Sequence, residues 1–317
     1  MAIQATGGGN VQVVTVGEVM VELARGADGR FALGYGGDTF HTAIYLSRCG
    51  AEVAFATALG KDSYSDAIVA AATTEGIATD LVLRIDDRVP GLYLVETGEK
   101  GERRYEYWRE AEPARQLFEL PGWDRIAEEL VAAELVYLSG ITLSLYSNVG
   151  LGRLLAALEF GRERGARITF DSKWRTRGWR GDDQRARAVF SEALKRSDLV
   201  LLSFEDEAKL WGDATPEATI ERLTTFGARE IVVKNGSEGA LVHADGQNVR
   251  VPVPDVVKPV DTTAAGDAFN AAYLAARLKG EKPEAAALAG HRLAAEVMGH
   301  RGAILPSPKT NGGHKQR

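Results

Sequence analysis

Hydrophobic positions fall into short runs rich in valine, isoleucine and leucine, separated by longer stretches in which apolar residues recur every third or fourth position. The first pattern is that of a buried strand and the second that of an amphipathic helix. Strands are predicted over 11–16, 53–58, 135–138, 167–170, 199–202 and 231–233. Helices are predicted over 39–49, 64–75, from about 124, and over 149–164, 186–195, 215–226, 265–279 and 283–298, with a short hairpin over 240–251. Gly50, Gly76 and Gly165 stand just past three of these helices, where a left-handed residue commonly closes the last turn. Alternating strands and helices imply a parallel sheet covered on both faces, so the expected fold class is a three-layer α/β/α sandwich.

Four short pieces do not fit that alternation. Residues 21–23 and 31–33 flank the turn residues 26–29, and 91–96 and 103–108 flank a glycine turn at 98–101, which reads as a hairpin. They are assigned to a small β lid drawn from about 18–36 and 88–112. The expected organisation is a single α/β domain over 11–306, with 1–10 and 307–317 as flexible tails. Length alone, at 317 residues, fits either one large domain or two.

Composition narrows the partners. With 38 Lys and Arg against 44 Asp and Glu, the net charge is -6, which argues against nucleic acid as a partner but not against a small anion held by a few basic groups. The apolar runs are far shorter than the roughly 20 residues that span a bilayer. Cys49 is the single cysteine, so no intramolecular disulfide forms, and a reducing cytoplasm is the expected compartment. Five histidines and one cysteine, without a close-spaced pair, give no zinc site. Glycine is in excess, 35 of 317 residues, against an average usage of about 7%.

The familiar phosphate motifs are missing: no G-x-x-x-x-G-K-[ST] occurs, and no G-x-G-x-x-G follows the first strand. The sharpest segment is D-T-T-A-A-G-D-A-F at 261–269, running straight into an alanine-rich helix. Small residues at Ala264, Ala265 and Gly266 let the chain turn so that the first helical amides converge on an anion, and Asp267 sits where a carboxylate can take a proton from an attacking hydroxyl. Read locally, Asp267 is equally a first-turn acid favoured by the helix dipole, with Asp261 or Thr262 as N-cap. The residues alone leave both readings open.

This segment closely resembles the C-terminal signature D-T-x-G-A-G-D of the ribokinase-like (phosphofructokinase-B type) carbohydrate kinases. G-G-D-T-F-H-T-A at 36–43 resembles the same family's sugar-binding signature, and the two stand in the expected order about 220 residues apart. G-L-Y at 91–93, G-E-R at 101–103, Y-E-Y-W-R at 105–109, G-H at 290–291 and R-G-A-I-L-P at 301–306 look like the 2-keto-3-deoxygluconate kinases within it. The resemblance covers about 11–306.

It implies a ribokinase-like fold and an ATP- and Mg²⁺-dependent phosphotransfer to a sugar acid, 2-keto-3-deoxy-D-gluconate, giving its 6-phosphate. A neutral-sugar or nucleoside kinase, or a silent sugar-acid sensor on the same fold, are the alternatives. Asp267 is the implied base, with the amides of Ala264, Ala265 and Gly266 as anion hole. Asp38 is the implied acceptor for sugar hydroxyls, Gly34, Gly36 and Gly37 admit close backbone approach, and His41, Tyr93 and Tyr107 wall the pocket. Arg109 and Arg175 match a carboxylate, since arginine forks bind it bidentately. Lys173, Ser203, Asp206, Lys234, Gly236, Gly239 and Thr262 are implied along the ATP, with Glu205 and Asp206 near Mg²⁺; K⁺ is admitted as a further cofactor. Four positions depart from the pattern: Ala264 for Gly, His41 and Ser203 for Asn, and Lys173 inside a D-x-N-x-R run. Lys173 as a third cation suits an acidic sugar. The edge of the lid predicts a homodimer through the lid strands.

Overall fold

The computed structural model describes residues 11–26, 28–97 and 103–306, so both expected tails and the 98–101 turn lie outside the described residues. Strands run Val13–Val16 (β1), Met20–Arg25 (β2), Phe31–Gly36 (β3), Val53–Gly60 (β4), Val82–Ile85 (β5), Leu92–Thr97 (β6), Arg103–Trp108 (β7), Leu135–Ser139 (β8), Arg167–Asp171 (β9), Leu199–Ser203 (β10), Glu230–Lys234 (β11), Ala240–Ala244 (β12) and Gln247–Val251 (β13). Nine of them form one sheet in the order β13-β12-β11-β10-β9-β8-β1-β4-β5. Only β12 runs against its neighbours; every other pairing in that sheet is parallel.

Strands that are apolar on both faces need a cover on both faces, and the sheet has one. Val14, Val136, Ile168 and Val200 pack with Ile126, Leu154, Leu158 and Phe190 from the helices Trp123–Ala132, Asn148–Glu163 and Asp183–Leu194. Val13, Tyr137, Leu201 and Val232 pack on the opposite side with Phe40, Ile44, Phe269 and Tyr273 from the helices Asp38–Arg48 and Ala265–Leu278. The helix Pro283–Met298 closes that side, and a Cβ at its Gly290 would press within 2.7–2.9 Å of the Phe269 ring. Glycine there is what lets the two helices approach.

The architecture is the expected ribokinase-like sandwich, with three elements the apolar pattern did not separate: β5 and the helices Gly140–Leu145 and Phe204–Trp211. Each is eight residues or shorter, too short to show a period of its own. No helix among the described residues is long and apolar enough to cross a membrane.

Two consequences of this topology position the chemistry. Register aligns Ser139 with Asp171 and Ser203 with Lys234, so the carboxyl ends of β8 to β11 set these side chains along one rim, the usual ligand edge of an open α/β sheet. A second sheet, β3-β2-β6-β7, stands over that rim, with β2 and β6 parallel and the other pairs antiparallel. Its outer strands expose Phe31, Leu33 and Trp108 at 46%, 54% and 56%.

Candidate active site

The rim and the lid enclose a cleft of about 750 Å³. At its floor the chain enters the helix Ala265–Leu278 through Ala264, whose φ of 59° is left-handed. For a residue with a Cβ that conformation costs about 1 kcal/mol. Asp261 holds the loop in place: its carboxylate accepts from the Thr263 amide at 2.9 Å and the Gly302 amide at 2.6 Å. The Ala265 amide turns back to the Thr262 carbonyl at 3.3 Å. The amides of Gly266 and Asp267, in the first turn, have no helical carbonyl to pair with, and both residues line the cleft at the positive end of the helix. That is a place for an anion.

Asp267 is 2% exposed. One carboxylate oxygen accepts from the Lys173 ammonium, and the other lies 3.2 Å from His41 Nδ1. Burial works to raise its pKa, but the Lys173 charge and the His41 contact outweigh it and hold the carboxyl well below the usual range. Asp267 is therefore ionised throughout the neutral range, ready to accept a proton.

Asp38 has the opposite surroundings. It opens the helix Asp38–Arg48, is 7% exposed, and neither oxygen has a hydrogen-bond partner. The Ser139 hydroxyl stands near but is engaged with Thr142 at 3.2–3.3 Å. Burial raises the Asp38 pKa, with Lys173 opposing. A buried carboxylate without donors is costly, and a ligand carrying hydroxyl groups relieves it. His41 Nε2 is likewise buried and unpartnered. Gly37 is needed here, because a Cβ would strike the Glu18 backbone carbonyl, and at Gly36 it would strike the Tyr93 hydroxyl.

The lid contributes a wall of three tyrosines. Tyr93, Tyr105 and Tyr107 have ring centroids 5.8–6.4 Å apart, and the Tyr105 hydroxyl lies 3.4 Å from Thr263 Oγ1, so the lid touches the anion loop. Arg109 and Arg177 place their guanidinium groups 5.2 and 5.4 Å from the Tyr107 ring centre. Both arginines line the cleft on these cation–π seats, and Arg177 also lies 3.6 Å from Glu106. Arg109 also ion-pairs with Glu18.

At the far end, Lys234 donates to Asn270 Oδ1 at 2.7 Å and lies 4.0 Å from Asp171, which accepts from Asn270 Nδ2 at 2.8 Å and from the Tyr137 hydroxyl at 3.4 Å. Burial lowers the Lys234 pKa, opposed by Asp171. Its ammonium lies 3.8 Å from where a Gly266 Cβ would sit, beside the free amides. Arg175 holds both Asp206 oxygens at 3.0 Å. No trio of acids or histidines able to cage a metal occurs among the described residues. Asp171 and Asp206 are the carboxylates on this part of the lining. Such a donor set fits a hard ion that arrives with phosphate oxygens and keeps its water shell.

Sixteen of the residues singled out in the sequence line the cleft together: Gly37, Asp38, His41, Tyr93, Tyr107, Arg109, Lys173, Arg175, Ser203, Asp206, Lys234, Gly236, Thr262, Ala264, Gly266 and Asp267. Lys173 reaches Asp267. Gly34 lies in β3 against Glu22, Gly36 behind the lining, and Ala265 one position round the helix from Ala264. Gly239 serves the hairpin at φ 92°, where a Cβ would strike the Val251 carbonyl. Glu205 does not join the cleft: one residue before Asp206 on the same helix, it points about 100° away, is 74% exposed and pairs with Lys209. The sequence reasoning missed Glu18, Tyr105, Ile141, Asp171, Thr263 and Arg177, all on the lining. Tyr105, within the Y-E-Y-W-R run, and Arg177, two residues past Arg175, had signals that could have found them.

The pfkB family carbohydrate kinase model matches residues 10–310. A 2-dehydro-3-deoxygluconokinase of Dickeya dadantii is 39% identical over 303 residues, 93% of this chain and 96% of that protein. One from Escherichia coli K12 is 39% identical over 304 residues, 93% and 97% of the two chains. Among solved structures, a PfkB protein from Polaromonas sp. JS666 superposes with a TM-score of 0.79 at 26% identity, covering 90% of this chain and 94% of that one. An E. coli protein described as a Ribokinase II, in complex with ATP and Mg²⁺, superposes with a TM-score of 0.79 at 21% identity, covering 92% and 94%. Its likeness shows the shared fold. With the family's pattern running through 10–310 and relatives of this identity along nearly their whole length, the chain belongs to the pfkB family of carbohydrate kinases.

Proposed function

We propose that the chain transfers the γ-phosphoryl group of ATP to the terminal hydroxyl of 2-keto-3-deoxy-D-gluconate, forming the 6-phosphate and ADP. The observation that carries this reading is the convergence in one cleft of an ionised base at a helix N-terminus, a donor-starved carboxylate and tyrosine-seated arginines. Relatives named 2-dehydro-3-deoxygluconokinase at 34–39% identity support the choice of substrate.

Asp38 accepts two sugar hydroxyls, and the tyrosine wall stacks on the carbon chain. Arg109 and Arg177 take the carboxylate, which a neutral sugar lacks. The terminal hydroxyl then lies at Asp267, which removes its proton as the oxygen attacks phosphorus, a contribution of about 10²–10⁴ in rate. Charge gathering on the transferred group meets the Gly266 and Asp267 amides and Lys234. Asp206 and Asp171 would hold the Mg²⁺ that comes with ATP, and the ion would neutralise phosphate charge there. Ser203, Gly236 and Thr262 lie along the nucleotide. The work belongs in the cytoplasm, as a homodimer joined through β3, whose Phe31 and Leu33 are exposed.

Coupled detection of ADP with the keto-acid, ribose, fructose and a nucleoside tests the assignment. The keto-acid is expected to give the highest kcat/KM, and Arg109→Ala to lose that preference by about tenfold or more, the scale of one charge-assisted pair. Faster turnover of a neutral sugar, or unchanged selectivity in the variant, refutes it. Adding K⁺ to the same assay decides whether a monovalent cation takes part.

A further inference from the structure

At the lid end of the cleft lies a pair of buried acids, one on the lining and one behind it, that the mechanism above does not use. Glu18, just after β1, is 2% exposed, and Glu112, at the start of the short turn Pro113–Gln116, is 4% exposed. Glu18 Oε1 accepts from Arg109, while Glu18 Oε2 and both Glu112 oxygens are buried with no donor. The two carboxyls gather about one arginine: Glu18 takes the Arg109 guanidinium, and Glu112 Oε2 and the Arg109 Cβ both border the same point above Gly91, so a proton on one acid has the other as its nearest unpaired acceptor. The chain closes over them at Gly91, where a Cβ would come within 2.6 Å of Glu112 Oε2.

The other charged or titratable groups around the pair do not supply that missing donor. Arg115 faces Glu112 from the following turn and Tyr146 from beyond the helix Gly140–Leu145, its hydroxyl also buried and unpartnered. Tyr107 faces Glu18 from the lid and Asp38 from its helix, the latter adding a negative charge. Burial, and then repulsion from Glu18, push the Glu112 carboxyl well above the usual range, with Arg109 and Arg115 opposing. Two ionised carboxylates side by side in such a site repel, whereas one shared proton satisfies the orphaned oxygens.

We propose that Glu112 stays protonated at neutral pH and donates to Glu18, so that the Glu18–Glu112 pair carries a single negative charge that fixes the Arg109 guanidinium toward the cleft. Glu112 is thus a positioning residue that tunes the site for an anionic sugar. This rests on Arg109 reading the substrate carboxylate. Protonated, the trio Glu18, Glu112 and Arg109 is neutral overall; ionised, it adds one negative charge behind the substrate's own. The KM for the sugar acid therefore rises with pH through the Glu112 titration, while kcat, set at Asp267, does not follow it.

The test is the pH profile of KM and kcat for the keto-acid in wild type and Glu112→Gln, with difference infrared spectra of the two ligand-free proteins. Glutamine keeps the donor and the shape but cannot ionise. Wild type is expected to show a protonated-carboxyl band at neutral pH that the variant lacks, and an alkaline rise in KM of about tenfold that the variant also lacks. If Glu112→Gln fails to fold, Glu18→Gln, which exchanges the carboxylate accepting the Glu112 proton for a neutral amide, must shift the same band. No band in wild type, or the same alkaline rise in the variant, overturns the proposal. If wild type turns over no sugar acid, the functional reading falls alone, and the band still decides whether the proton is shared.

Discussion

Replacing Asp38 by Asn separates what the fold needs from what the substrate needs. Both Asp38 oxygens are buried without a partner, so ionisation costs about 1–3 kcal/mol in the empty protein. Its place in the first turn of the helix Asp38–Arg48 returns about 0.3–1 kcal/mol through the helix dipole. An isosteric amide removes both effects, so the ligand-free variant is expected to gain about 1 kcal/mol, or roughly 2 °C in Tm for a chain of this size. The sign follows from linkage. Burial raises the Asp38 pKa, so its favourable contribution is full below the unfolded titration and is lost as pH rises through the folded one. The variant's advantage therefore grows from acid toward neutral pH. Catalysis moves the other way, because two hydrogen bonds from sugar hydroxyls to a carboxylate are worth about 1.5–3 kcal/mol each, and kcat/KM falls about 10²–10⁴-fold. Thermal unfolding across that pH span, with initial rates of ADP release, measures both. A variant that melts below wild type at neutral pH, or keeps kcat/KM within threefold, refutes this reading of Asp38.

Lys173→Met removes the charge that holds Asp267 ionised, so the Asp267 pKa rises and the acid limb of the kcat–pH profile moves upward; an unmoved limb shows that Lys173 does not set the base. Leu33→Asp on the exposed edge of β3 is expected to shift the protein to monomer in light scattering, with Tm lowered through lost association; a wild type that is itself monomeric at the same concentration removes the lid interface.

How much of this was legible beforehand depended on whether the signal was local. Alternating strand and helix patterns, with glycines at helix ends, yield the order of layers, and D-T-T-A-A-G-D at 261–267 marks the floor of the cleft. Helical phase was the first thing lost. Glu205 and Asp206 are equivalent as a pair of first-turn acids, yet only Asp206 faces the cleft, because Arg175 comes from the loop after β9 to meet it. Long-range pairing was the second. Arg109 read as a free cation, but Glu18, 91 residues away, partners it once β2 and β6 align. The same holds for Lys173 and His41: each departs from the family pattern in isolation, and only the fold shows both converging on the Asp267 carboxylate. β5 was missed because its four residues gain strand character from pairing with β4.

The most direct measurement is the steady-state rate of ADP formation from ATP and 2-keto-3-deoxy-D-gluconate by wild type and Asp267→Asn. Wild type turns the sugar acid over, and the variant loses about 10²–10⁴ in kcat while KM stays within a few-fold, because the base is lost and the sugar contacts remain. Turnover by Asp267→Asn at the wild-type rate would contradict the assignment of Asp267 as the base at the helix N-terminus.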